Sequence, residues 1–260
     1  MRERGLGNGE WRGSLIACLV AVVSTAAFPC LAMTSSEAVE IVLNSRNAAG
    51  ADTFAAAKKR VESDAAEGKP LQQFVIGVTT KDKALAKRYL DASRGKIRAL
   101  AVVKGNPLAW YLLSIENNDL KLLRKAADGG NVQALNALGT IETQEALARD
   151  GISSNDLERV LARSFELFGK AAEKRDPNGL VNLGACYLQG YGCKPDKEKA
   201  YSCFKAAAEA GHPEGMDSLS DCYRFGHGVK KDNELCLYWT MRGRSARGDL
   251  AAAQWLRDRK

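Results

Sequence analysis

The chain is poor in what acid–base and metal chemistry require. It has two histidines in 260 residues, His212 and His227, and no C-x-x-C or H-x3-H pair. Without that ligand spacing no metal site is expected, and no cofactor is implied. A cysteine–histidine couple such as Cys222 with His227 would need an orienting third group and an oxyanion site, and nothing marks either. No catalytic residue is therefore assigned. Aromatic residues make up only 7% of the chain and do not interleave with a basic stripe, which argues against nucleic acid as a partner. Like charges are not massed in any block, so the net +7 reads as solvated helix faces. After residue 28 no apolar run approaches the roughly 20 residues that a membrane span needs.

What is present begins at the N-terminus. Arg2, Arg4 and Arg12 precede the uncharged, mostly apolar run Leu15 to Phe28, and the small-x-small site Cys30-Leu31-Ala32 follows. This layout predicts a secretory signal peptide over residues 1–32, cleaved after Ala32. Leu15-Ile16-Ala17-Cys18 resembles a lipobox, but almost no apolar segment precedes it, so a lipid anchor is not expected. The chain would then be periplasmic or secreted, with 35 basic and 29 acidic residues remaining. Nothing in the pattern sets an oligomeric state.

The second feature is repetition. "CYLQGYGCKPD" begins at Cys186 and "CYRFGHGVKKD" at Cys222, 36 residues on. Small-residue turns recur with them: "GKPLQ" at 68, "GNPLA" at 105, "GNVQA" at 130, "RDPNG" at 175, "GHPEG" at 211 and "RGDLA" at 247. The intervals are 37, 25, 45, 36 and 36 residues, a mean near 36. A period of this length marks stacked supersecondary units. The adjacent short and long units predict one truncated loop and one insertion.

Within a unit the spacing is helical. Leu180, Leu183 and Tyr187 form one apolar stripe that predicts a buried face. Gly190 and Gly192 end that helix, and Asp196 can cap the next one. The second helix carries Ala200, Cys203, Phe204, Ala207 and Ala208 on one face. The expected fold is all-α, an α-solenoid of stacked antiparallel helix pairs. Residues 33–67 would form N-terminal helices capping the array, 68–104 a degenerate repeat, 105–247 the repeats proper and 248–260 a capping helix. In that last helix Ala251 and Trp255 take the Gly215 and Leu219 positions. A β-sheet through the β-branched stretch Phe74 to Val78 would break this register.

These residues resemble the Sel-one-like repeat, a relative of the tetratricopeptide repeat. The unit at 179–211 carries Leu183-Gly184, Tyr187, Gly190, Gly192, Lys199-Ala200, Ala207-Ala208-Glu209 and Gly211 of that pattern. The unit at 215–247 keeps Leu219, Tyr223, Gly226, Gly228-Val229, Asp232 and Trp239. Units at 109 and 134 keep only "LRKAADGG" and "LFGKAAEK" with the helix starts, and they lack the glycine loop. The resemblance implies a non-enzymatic scaffold or adaptor that binds a protein or peptide on the solenoid surface. The alternative is an enzyme-like activity on cell-wall or β-lactam-type ligands, as attached to some cysteine-rich relatives.

Two further expectations follow. Cys186 and Cys222 occupy equivalent helix positions, roughly 10 Å apart in stacked helices, too far to share a metal at about 2.3 Å per Zn–S bond. Removing the leader leaves five cysteines, Cys186, Cys193, Cys203, Cys222 and Cys236, and none or one disulfide is expected. In this repeat family the first helices line the concave side. With Leu183 and Tyr187 inward, helical geometry turns Asn182, Ala185 and Gln189 outward. Ser218, Asp221 and Phe225 repeat them, as do Ala137, Thr140 and Gln144, with Gln254 and Arg257 in the cap. The expected binding residues are thus Gln144, Asn182, Gln189, Ser218, Asp221, Phe225 and Gln254, with Phe225 as an aromatic anchor. The "RGD" at 247–249 falls in an inter-unit turn and reads as turn chemistry.

Overall fold

A small-residue turn opens each unit, and its local chemistry decides where the next helix starts. The computed structural model describes residues 51–103 and 105–259, with twelve helices and no strand among them. They are α1 Ala51–Ala66, α2 Pro70–Thr79, α3 Lys83–Val103, α4 Pro107–Asn117, α5 Leu120–Asp128 and α6 Val132–Ala148. Then come α7 Ser154–Glu173, α8 Pro177–Gln189, α9 Lys197–Glu209, α10 Pro213–Phe225, α11 Asn233–Ala246 and α12 Leu250–Arg257. The turns before α2, α4, α6, α8, α10 and α12 each hold one residue at positive φ: Gly68, Gly105, Gly130, Arg175, Gly211 and Gly248. Glycine takes that conformation without a Cβ penalty. The next residue is extended, and at Asn106, Asn131, Asp176, His212 and Asp249 its side chain accepts from a first-turn backbone N–H. Each such cap is worth about 1 kcal/mol.

Five helix pairs follow α1: α2 with α3, α4 with α5, α6 with α7, α8 with α9, and α10 with α11, with α12 last. Each helix packs on its neighbours in chain order, and the first helices α2 and α4, α6 and α8, and α8 and α10 also touch. This is the nearest-neighbour stacking of an all-α solenoid. Phe74 to Val78 lies inside α2, where Phe74, Val75 and Ile76 are buried. The core runs as three clusters. The first centres on Val61, Phe74, Ile97 and Leu112, the second on Leu123, Leu135, Leu138 and Ile141, the third on Phe204, Met216, Leu219 and Tyr223.

Four details differ from the sequence reading. The short unit, α4 and α5, turns on Asn118 at φ 53 with Asp119 as the next cap. The extra residues of the long unit lengthen its helices, to 17 in α6 and 20 in α7, more than its loop. Leu183 is half-buried and belongs to neither flanking cluster, whereas Leu138 and Leu219 at the same position are fully buried. Finally, α11 has 14 residues against 13 in α9, so everything after it shifts by one. Ala252, not Ala251, is the small buried residue of α12. The leader at 1–32, and the part of the expected capping segment before Ala51, lie outside the described residues.

Candidate functional site

The motif that occurs twice is a clamp between units. Gly190 and Gly226 take left-handed φ values of 76 and 75 and close α8 and α10, their N–H groups donating to the carbonyls of Cys186 and Cys222. The second glycine does something else. A Cβ on Gly192 would lie 2.4 Å from the carbonyl oxygen of Leu161, and one on Gly228 would lie 2.1 Å from that of Lys197. Leu161 and Lys197 are 36 residues apart, at equivalent points of α7 and α9. Each loop therefore presses its backbone onto the second helix of the preceding unit. The Asp196 and Asp232 N–H groups then donate to Tyr187 and Tyr223, and both carboxylates cap the following helix. Carbonyls, not amides, gather at these helix ends, which disfavours an anion.

The chemistry-bearing residues are likewise structural. Cys186 and Cys222 are buried, and burial pushes their thiols up to about 12 and about 11. Cys193 donates its thiol to the Cys186 carbonyl at 3.5 Å. Cys186, Cys193, Cys203, Cys222 and Cys236 are all free, and no group of three or more metal-ligating side chains gathers among the described residues. His212 caps α10: its Nδ1 accepts from the Gly215 N–H at 3.1 Å and its Nε2 meets Asn178 Oδ1 at 2.9 Å. The Glu214 carboxylate, 3.3 Å from Nδ1, would favour a charged ring. Burial and the nearby Arg247 charge outweigh it and hold His212 at about 4. Arg247 pairs with Asp217, while Asp249 caps α12 and binds Arg244, so both charged ends of the "RGD" turn are engaged within the chain.

The residues of the expected inner strip differ in exposure. First helices touch in three places, α2 with α4, α6 with α8 and α8 with α10. Gln144, Gln189, Asp221 and Phe225 are exposed; Asn182 and Ser218 are half-buried, as are Thr140 and Ala185. Ala137 is buried in the second cluster instead. Gln254 is exposed but, because of the extra residue in α11, falls at the Asp217 position and off the strip. It bonds Asp258 and Arg257. Phe225 stands out: 53% exposed, its ring lies 5.7 Å from that of His227, with the Arg224 guanidinium 5.8 Å away.

One surface went unread in the sequence. On α11, Leu235, Leu237 and Tyr238 are exposed, and Arg242 lies over the rings of both Tyr238 and Trp239 at 5.8 and 5.1 Å. The spacing of Leu235, Tyr238, Trp239 and Arg242, i, i+3, i+4 and i+7, was the available signal.

A family model fits the helix pairs of the later units. The Sel1 repeat family model matches residues 120–131, 133–176, 177–212 and 213–240. No curated protein matches the chain. Among solved structures the chain is similar to a Sel1 repeat protein from Oxalobacter formigenes, at 25% identity and TM-score 0.42, over 49% of this chain and 90% of that one. It is also similar to a protective antigen present in uropathogenic Escherichia coli strains and displaying an SLR fold. There the identity is 20% and the TM-score 0.35, over 74% of this chain and 51% of that one, about half its length. The last two family matches begin where α8 and α10 begin, at 177 and 213. The stretch from residue 120 to residue 240 is thus built of Sel1 repeats.

Proposed function

We propose that this chain is a non-enzymatic scaffold that binds a protein or peptide along its inner face. Sel1 repeats generally mediate protein–protein interaction and are typically non-catalytic. The observation that carries the reading to particular residues is Phe225, a 53%-exposed aromatic at the end of a first helix whose counterpart in the preceding unit is Gln189. Aromatic side chains set among small polar ones are the usual anchors of an interface. Asp221, Gln189, Ser218 and Asn182 would supply the polar surround, and Gln144 its continuation on α6. The N-terminal sequence supports export to the periplasm or beyond, and Edman sequencing of the chain recovered from its native envelope would find Met33 first. Binding is tested by replacing Gln189, Asp221 and Phe225 together with alanine. A partner captured by the parent chain should be lost while the helical circular dichroism and melting point persist. Unchanged affinity would remove the inner face from consideration.

A further inference from the structure

Second helices of successive units present equivalent positions to solvent. In α7 three such positions are Arg163, Glu166 and Lys170, and in α9 they are Lys199, Ser202 and Ala206, all exposed. One period later, in α11, the same positions hold Leu235, Tyr238 and Arg242. The polar outer face of the array thus turns apolar in its last unit. Leu235 is 38% and Tyr238 36% exposed, and Trp239 beside them makes an edge contact with Tyr238 at 5.4 Å. Cys236, Trp239 and Ala246 pack against the third cluster and Gly243 is buried, which leaves Leu235 and Tyr238 open on the other side of α11.

The charges bordering the stripe say what covers it. Glu234 stands four residues before Tyr238 and Arg242 four residues after it. An isologous interface is self-complementary about a two-fold axis. With that axis at Tyr238, an antiparallel α11 from a second copy brings the partner's Arg242 to Glu234, and the partner's Glu234 to Arg242. Leu235 then meets the partner's Met241, and the two Tyr238 rings meet at the centre. The nearest other cation on the helix, Arg244, is held by Asp249 and does not oppose this pairing. Tyr, Trp and Arg are the side chains that dominate interface energies.

We propose that α11 forms a homodimer interface, packing antiparallel on α11 of a second copy through Leu235 and Tyr238, with Glu234 and Arg242 exchanged across the axis. A single helix stripe buries less than the roughly 1,200 Å² of a standard interface, so the dimer is weak and depends on concentration. The surface is separate from the inner face, and the two readings stand or fall independently.

Analytical ultracentrifugation of the purified chain over a wide concentration range tests it. The parent should pass from monomer to dimer. Glu234→Arg and Arg242→Glu should each weaken association by about tenfold or more, and the double variant E234R/R242E should recover most of the loss. Leu235→Lys with Tyr238→Lys should abolish the dimer with circular dichroism unchanged. A parent that stays monomeric throughout overturns the proposal. So does a dimer that survives Leu235→Lys with Tyr238→Lys, or a charge-swapped pair that associates no better than either single variant.

Discussion

At Gly228 two demands coincide: φ is +69, and a Cβ would lie 2.1 Å from the Lys197 carbonyl oxygen. A left-handed conformation costs an L-residue about 1–2 kcal/mol before any clash, so Gly228→Ala should lose ~2 kcal/mol or more in urea unfolding. Gly169 is the control, a glycine within α7 with nothing within 4 Å of its Cβ position. Alanine there should gain up to about 1 kcal/mol. Equal effects at the two sites would remove the clamp as an explanation of the loop. His212 makes a second residue-level case, through pH. Its folded pKa is lowered to about 4 by burial, below the ordinary value near 6.5. The folded state therefore binds the proton more weakly than the unfolded chain does. The resulting stability is fully present above about pH 6.5 and is lost as pH falls towards 4, by something on the order of 3 kcal/mol. Protonation also removes the Nδ1 acceptor that caps α10. His212→Asn keeps a capping oxygen, as Asn106 and Asn131 do in other units. Its unfolding free energy should be flatter than the parent's between those pH values, and an identical slope would refute the assignment.

Helices are where local signals and packing part company. Leu219 of α10 is fully buried, so Leu219→Ala should cost about 2–5 kcal/mol. Leu183→Ala, at the equivalent place in half-buried α8, should cost less than about 2 kcal/mol. Equal costs would mean that the seam between the second and third clusters closes over Leu183. The turns at 105, 130, 175 and 211 were legible because their causes are local: a residue at positive φ, a capping side chain and often a proline stand in sequence order, and at 68 the glycine and Pro70 act without a cap. Helix length was not legible. The single extra residue of α11 leaves no mark that a 36-residue period can register, yet it rotates α12 by one position and moves Gln254 out of register with Ser218. Burial of Ala137 was lost for a related reason, since neighbouring units and not its own helix decide what covers it. The α11 stripe was legible by its spacing and also by contrast with Lys199, Ser202 and Ala206 one period earlier.

In a stacked array each unit is held by its own pairing and by its two neighbours, so the ends open before the middle. Burial grades the units in the same sense. Ten residues of α6 are buried, including Leu135, Leu138 and Ile141, against Gly243 alone in α11 and Ala252 alone in α12. The middle cluster is also the one with a cluster on either side. Native-state hydrogen exchange should therefore show α12 and α11 opening at the lowest free energy, α10 next, and α6 only near global unfolding. The measurement belongs on the chain carrying Leu235→Lys and Tyr238→Lys, so that association through α11 adds no protection. A single opening free energy shared by α6 and α11 amides would mean that the array unfolds as one cooperative block, and that the sparse burial of α11 is no guide to its stability. The graded outcome would place Phe225, the anchor proposed above at the end of α10, next to the least stable part of the array. A partner seated on α10 would then raise the exchange protection of α11 as well, a coupling carried by the Ser220 hydroxyl that joins α10 to Cys236 and Thr240 of α11.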